Sequence, residues 1–234
     1  MSAKEVIAQL KSFANLERKK INERFFKTGP GQYSEHDQFM GVRVPQIRLI
    51  AKQHFKQIDF SEIDQLITHP IHEVRFCALI ILMNQYQVNN KETVFNYYLD
   101  NISFVNNLDL VDTTTPAIIG DYLVNHSAKT ELLLEWAGSD DLWERRIAIV
   151  ATFAFIKQNK FKLTLAISQL LLKDKEDLIH KAVGWMLREV YKKDSNICTT
   201  FLRENYAQLP RTTLRYAIER MPEIERKAYL KGTF

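Results

Sequence analysis

The feature that most constrains this chain is a motif that returns at a nearly constant distance. Val74-Arg75-Phe76-Cys77-Ala78-Leu79, Val111-Asp112-Thr113-Thr114-Thr115-Pro116, Arg145-Arg146-Ile147-Ala148-Ile149, His180-Lys181-Ala182-Val183 and Leu214-Arg215-Tyr216-Ala217-Ile218 can be laid over one another. Their second residues fall at 75, 112, 146, 181 and 215, in steps of 37, 34, 35 and 34. Each step leaves room for a second helix, as at 129–138 and 161–173. A period in the mid-thirties with two helices per unit is the mark of an α-solenoid, whose units bury their apolar faces only against their neighbours.

The punctuation agrees with that pattern. Seven Gly and six Pro in 234 residues leave few tight turns, which disfavours a β-rich fold. Polar or Pro-containing breaks at His69-Pro70, Ser139-Asp140-Asp141, Lys173-Asp174 and Leu209-Pro210 precede several repeat helices and supply caps or first-turn prolines. Val6, Leu10 and Phe13 share one face of a first helix, which Ile21 and Phe25 are expected to continue. Thr28-Gly29-Pro30-Gly31 reads as a helix stop and connecting loop, without the spacing of a phosphate cradle, and Val44-Pro45 starts the next helix. The expected architecture is a single all-α, HEAT-like helical-repeat solenoid over residues 1–234, with a basic concave groove.

Composition narrows the functional class. The net charge of +4 and the pI near 8.9 permit a polyanionic partner without demanding one. Cys77 and Cys198 lie far apart without a CxxC context and read as reduced, buried thiols of a cytosolic protein. No targeting segment is expected, and the longest apolar stretch, Ile147 to Ile156, is too short to cross a bilayer.

The repeat column reads Arg75, Asp112, Arg146, Lys181, Arg215, four cations and one carboxylate. Cations at repeat spacing suit a phosphate backbone, where each neutralised phosphate releases counterions. They equally suit the solvated starts of helices, although a cation in a first helical turn opposes the macrodipole by about 0.3–1 kcal/mol, which favours an anion at that face. Asp112 has two readings as well. With Asp109 as N-cap it takes the third helical position, where acids are favoured; alternatively it is a lone carboxylate among cations, suited to stabilise positive charge or activate water. His69 and His72 flank Pro70 without an evident third ligand and read as loop histidines. Trp136, Trp143 and Trp185 read as core by pattern, and Phe25 with Phe26 as a contact within the first repeat.

Several stretches resemble the AlkD-like DNA alkylation repair proteins: Asn106-Asn107-Leu108-Asp109-Leu110-Val111-Asp112, Leu142-Trp143-Glu144-Arg145-Arg146-Ile147-Ala148, Lys181-Ala182-Val183-Gly184-Trp185-Met186-Leu187-Arg188-Glu189, and the passage from Phe25 to Pro45. The resemblance covers nearly the whole chain. It implies HEAT-like repeats around duplex DNA and excision of N3- and N7-alkylated purines without metal or other cofactor, from the backbone side. By that resemblance Asp112 matches the catalytic aspartate and Trp185 an indole beside the lesion's deoxyribose. Arg146 and Arg188 match arginines on the backbone, Lys181 a position facing DNA, and Phe25 an aromatic that approaches it.

One position departs from the pattern. Leu108 stands where the family commonly has Trp, so an aromatic wall is missing, and cation–π support of about 0.5–2 kcal/mol with it. The expected function is that of a monofunctional DNA glycosylase, acting as a cytoplasmic, nucleoid-associated monomer with no obligate protein partner. The alternatives are a non-catalytic repeat protein that binds duplex or branched DNA, and a protein-interaction scaffold.

Overall fold

A computed structural model describes residues 2–234. It divides into two compact units, one ending at Thr114 and the other beginning at Thr115. Among the described residues there is no strand; one isolated bridge joins Gln38 to Ile71.

The first unit holds α1 (Ala3–Ser12), α2 (Leu16–Phe26), α3 (Val44–His54), α4 (Phe60–Ile67), α5 (His72–Tyr86), α6 (Lys91–Asp100) and α7 (Leu108–Thr114). Val6 and Leu10 of α1 are buried, but the apolar face stops there. Contrary to the sequence expectation, Ile21 and Phe25 do not extend it. The chain breaks after Phe13, the Asn15 side chain caps α2 by accepting from the Arg18 N–H at 2.8 Å, and Leu16, Ile21 and Phe25 then face solvent.

Two features seat α2. Gly41 has φ +81°, and a Cβ there would lie 2.1 Å from the Asn15 carbonyl oxygen, so the close approach admits only glycine. The buried Glu73 carboxylate accepts from the Gly41 and Met40 N–H groups at 2.8 and 3.1 Å, and from Asn22 Nδ2 at 3.3 Å. After α2, Lys27 takes a left-handed conformation and the Gly-containing passage forms turns, as its sequence requires.

The second unit opens with one π-turn (Pro116–Gly120). It continues through α8 (Asp121–Val124), α9 (Glu131–Ala137), α10 (Leu142–Ala151), α11 (Phe153–Lys157), α12 (Lys162–Leu171), α13 (Asp177–Lys193), α14 (Ser195–Asn205), α15 (Arg211–Ala217) and α16 (Glu223–Lys231). Asp141 caps α10 through the Trp143 and Glu144 N–H groups, as its sequence position suggests. Asp174 is not a cap, because α13 starts three residues later. Instead its carboxylate binds Arg145 at 2.6 Å. Helices α13 and α15 pack across Gly184, where a Cβ would sit 2.5 Å from Tyr216 Cβ and 2.6 Å from the Thr213 carbonyl oxygen.

The repeat is real at the level of helix starts. Asp112, Arg146, Lys181 and Arg215 are each the fifth residue of α7, α10, α13 and α15, and Arg75 is the fourth of α5. These residues therefore lie beyond the first turn, where the macrodipole has faded. The dipole argument for an anion at that face does not apply. Both cysteines are free and buried, and burial pushes each thiol up to about 12. Among the described residues no helix is long and apolar enough to cross a membrane.

Candidate nucleic-acid interface

In the first unit the candidate residues centre on α7. Helix α7 has only seven residues, too few to be stable alone, so its tertiary contacts decide where it points. Leu110, Val111 and Thr114 are buried, and Thr114 Oγ1 meets the Tyr98 hydroxyl of α6 at 2.8 Å. Leu108 and Asp112 are half-buried. Asp109 is not the N-cap, which corrects the expected register. The helix follows Asn107, whose Oδ1 accepts from the Leu108 N–H at 2.7 Å, so Asp112 is the fifth helical residue rather than the third.

Asp109 turns instead to His72. The Nε2 of His72 lies 2.9 and 3.0 Å from the two Asp109 oxygens, and its Nδ1 lies 3.2 Å from Asp37 Oδ2. His72 opens α5 and is 2% exposed, so it is not a loop histidine. Phe26, Phe39 and Phe76 surround its ring. Asp37 also receives Arg75 Nη2 at 2.6 Å and Asn107 Nδ2 at 2.6 Å. Two half-buried carboxylates and two buried cations thus form one locally neutral cluster.

Burial disfavours a charged imidazole, but Asp109 and then Asp37 outweigh it and raise the His72 pKa to about 9. Burial likewise opposes the Asp37 carboxylate, and the His72 hydrogen bond with the Arg75 charge lowers its pKa to about 2 nonetheless. Arg75, one of the cations of the repeat column, is 5% exposed and held by Asp37, by the His69 carbonyl at 3.3 Å and by Asn106 Oδ1 at 3.3 Å. Its charge is spent inside the fold. Phe25 is 68% exposed and touches Phe26 edge-on at 5.0 Å.

In the second unit the candidates sit on α10, α13 and α15. Arg146 is 4% exposed, and its Nη1 donates to the Leu178 carbonyl at 2.5 Å. Lys181 pairs with Asp177 at 2.8 Å one turn earlier, an exposed pair of the kind worth about 0–1 kcal/mol. Asp177 also accepts from Thr212 Oγ1 at 2.9 Å, which ties α13 to the start of α15. The Lys181 hydrogen bond, ahead of that from Thr212, outweighs burial and lowers the Asp177 pKa. Arg188 binds Glu219 and lies 3.4 Å from Glu189 Oε1, while Arg215 is exposed.

Trp185 is half-buried, with its ring 6.0 Å from that of Phe153, and Lys157 Nζ lies 4.7 Å over the other ring. Trp136 and Trp143 are also half-buried rather than core.

Sequence reasoning missed Asp37, His72, Phe153 and Lys157. A signal for His72 was present: it stands 37 residues before Asp109, the step that separates Arg75 from Asp112, so successive repeats place the two at matching positions; nothing in the spacing marked Asp37. Phe153 and Lys157 share a helix face one turn apart, but nothing in their spacing to Trp185 marked them as neighbours.

These helices define an all-α helical-repeat protein whose repeat helices carry one acid and several cations at matching positions. A model of the DNA alkylation repair enzyme family matches residues 6–221, and the chain belongs to that family. Among solved structures, one titled as a predicted DNA alkylation repair enzyme from Enterococcus faecalis superposes with a TM-score of 0.73 at 18% identity. That match covers 90% of this chain and 97% of the other, and the likeness is one of fold. No curated protein matches the chain.

Proposed function

We propose that, within alkylation repair, this protein is a DNA glycosylase that hydrolyses the N-glycosidic bond of cationic N3- and N7-alkylated purines in duplex DNA. The observation that carries the reading is Asp112, half-buried on a short helix pinned at both ends, in a chain of the alkylation repair family. An alkylated purine already bears positive charge and leaves as a neutral base with the bonding electron pair. The deoxyribose left behind is an oxocarbenium ion. A carboxylate stabilises that ion and orients the water that adds to C1′, whose proton passes to solvent.

Trp185, backed by Phe153, offers an indole face to the sugar. Arg188, Lys181 and Arg215 take the phosphates of a basic concave groove; Glu219 beside Arg188 and Asp177 beside Lys181 are exposed and exchange for phosphate, while the mostly buried Glu189 stays beside Arg188. Arg146, braced on Leu178, acts from a buried position on the same backbone. Phe25, exposed on α2, supplies an aromatic contact to the DNA, and the protein acts as a monomer.

The test is release of 7-methylguanine and 3-methyladenine from methylated duplex DNA. Asp112→Asn is expected to abolish release while duplex affinity holds. Full activity in that variant would overturn the assignment. Leu108 favours a second reading, a DNA-binding relative without excision, because it removes the π-face the family commonly places there. Salt-sensitive binding without base release by the wild type would select it.

A further inference from the structure

We propose that His72, bridging Asp37 and Asp109, is a positioning residue that fixes the rotation of α7 and so aims the Asp112 carboxylate. This rests on the reading of Asp112 as the reactive acid.

The geometry alone sets the state of the imidazole. Both of its nitrogens face carboxylates, which only accept hydrogen bonds, so both must carry protons; a neutral ring has one N–H to give. His72 is therefore an imidazolium, and it completes a neutral cluster with Arg75, Asp37 and Asp109. The groups that face it among the described residues are Asp37 from the loop before α3, Asp109 from α7, and the rings of Phe26, Phe39 and Phe76.

The cluster holds the start of α7 at three places. Arg75 donates to Asn106, Asn107 donates to Asp37 and to Ser34, and His72 donates to Asp109. Asp109 and Asp112 are three apart, hence on one face of α7. The turn that His72 grips is the turn below the one that carries Asp112. Thr114 on Tyr98 fixes the far end. A loss of the His72 proton removes one donated bond and leaves Asp37 with Arg75 while Asp109, half-buried, loses its cation, so the first turn of α7 must shift.

The experiment uses the full chain and has two arms. Carbon-detected NMR follows the His72 ring and the backbone carbons of residues 108–112 as pH rises. The expected result is a common midpoint at about 9, absent from the α7 signals of His72→Gln. Titration of His72 with unmoved α7 carbons would overturn the proposal.

In the second arm, single-turnover release of 7-methylguanine is measured with duplex affinity. His72→Gln is expected to slow release about tenfold or more at neutral pH and to lose the alkaline fall of the wild type, while affinity stays within about twofold. A wild-type rate in His72→Gln would also refute the proposal. If the wild type releases no base, the glycosylase reading fails, and the NMR arm still decides whether His72 governs α7.

Discussion

Gly184→Ala gives the most direct test of how α13 and α15 are joined. The new Cβ would lie 2.5 Å from Tyr216 Cβ, 2.6 Å from the Thr213 carbonyl oxygen and 3.2 Å from Thr213 Cα. Two of those neighbours are backbone atoms, so no flexible side-chain tip can move aside. The helices must separate, and overpacking of this kind costs about 1–3 kcal/mol. Alanine returns about 1 kcal/mol through its better helix propensity. The net expectation is a loss of up to about 2 kcal/mol, which lowers Tm by up to about 8 °C in a chain of this size.

Thermal and urea unfolding measure that loss, with Gly138→Ala as the comparison. A Cβ at Gly138 meets only the Glu135 carbonyl oxygen at 3.5 Å, so that variant should stay within about 0.5 kcal/mol of wild type. If Gly184→Ala were as stable as Gly138→Ala, the close approach of the two helices would be wrong. The placement of Arg215 relative to Trp185 and Arg188 would fall with it.

Other expectations follow from the same geometry. His72, with its pKa raised from 6.5 to about 9, contributes stability that is full below pH 6.5 and disappears as pH rises through about 9. Asp37, lowered from 3.8 to about 2, contributes stability that is full above pH 3.8 and disappears as pH falls through about 2. Urea midpoints should therefore plateau between those limits, with an alkaline loss of about 3 kcal/mol that His72→Gln does not show; equal alkaline slopes in both proteins would contradict it. Leu108→Trp should raise base release severalfold to some tens of fold if a missing π-face limits the rate, and an unchanged rate would show that it does not. Arg215→Ala should reduce the salt dependence of duplex binding by about one phosphate equivalent, whereas Arg75→Ala should leave that slope alone and lower stability instead. The reverse pattern would show that Arg75, not Arg215, meets the DNA.

The sequence by itself determined the helical class and the repeat, because both are written in short-range patterns. A recurring motif sets the period, Asp141 and Pro45 start helices by local chemistry, and the passage from Thr28 to Gly31 forms the turns that follow one. It also placed Asp112 at a repeat position, through the same alignment that placed Arg146, Lys181 and Arg215. Tertiary structure decided what each column residue does. Arg75 and Arg215 are equivalent by spacing, yet one is consumed by Asp37 and the other faces solvent, because Asp37 comes from a loop that no periodicity tracks. His72 looked like a loop residue until α5 began at it and Asp109, one repeat on, came within hydrogen-bond reach. Periodicity fixes which residues recur on a helix face, but burial and charge pairing depend on which other segment arrives there, and only the folded chain brings those segments together.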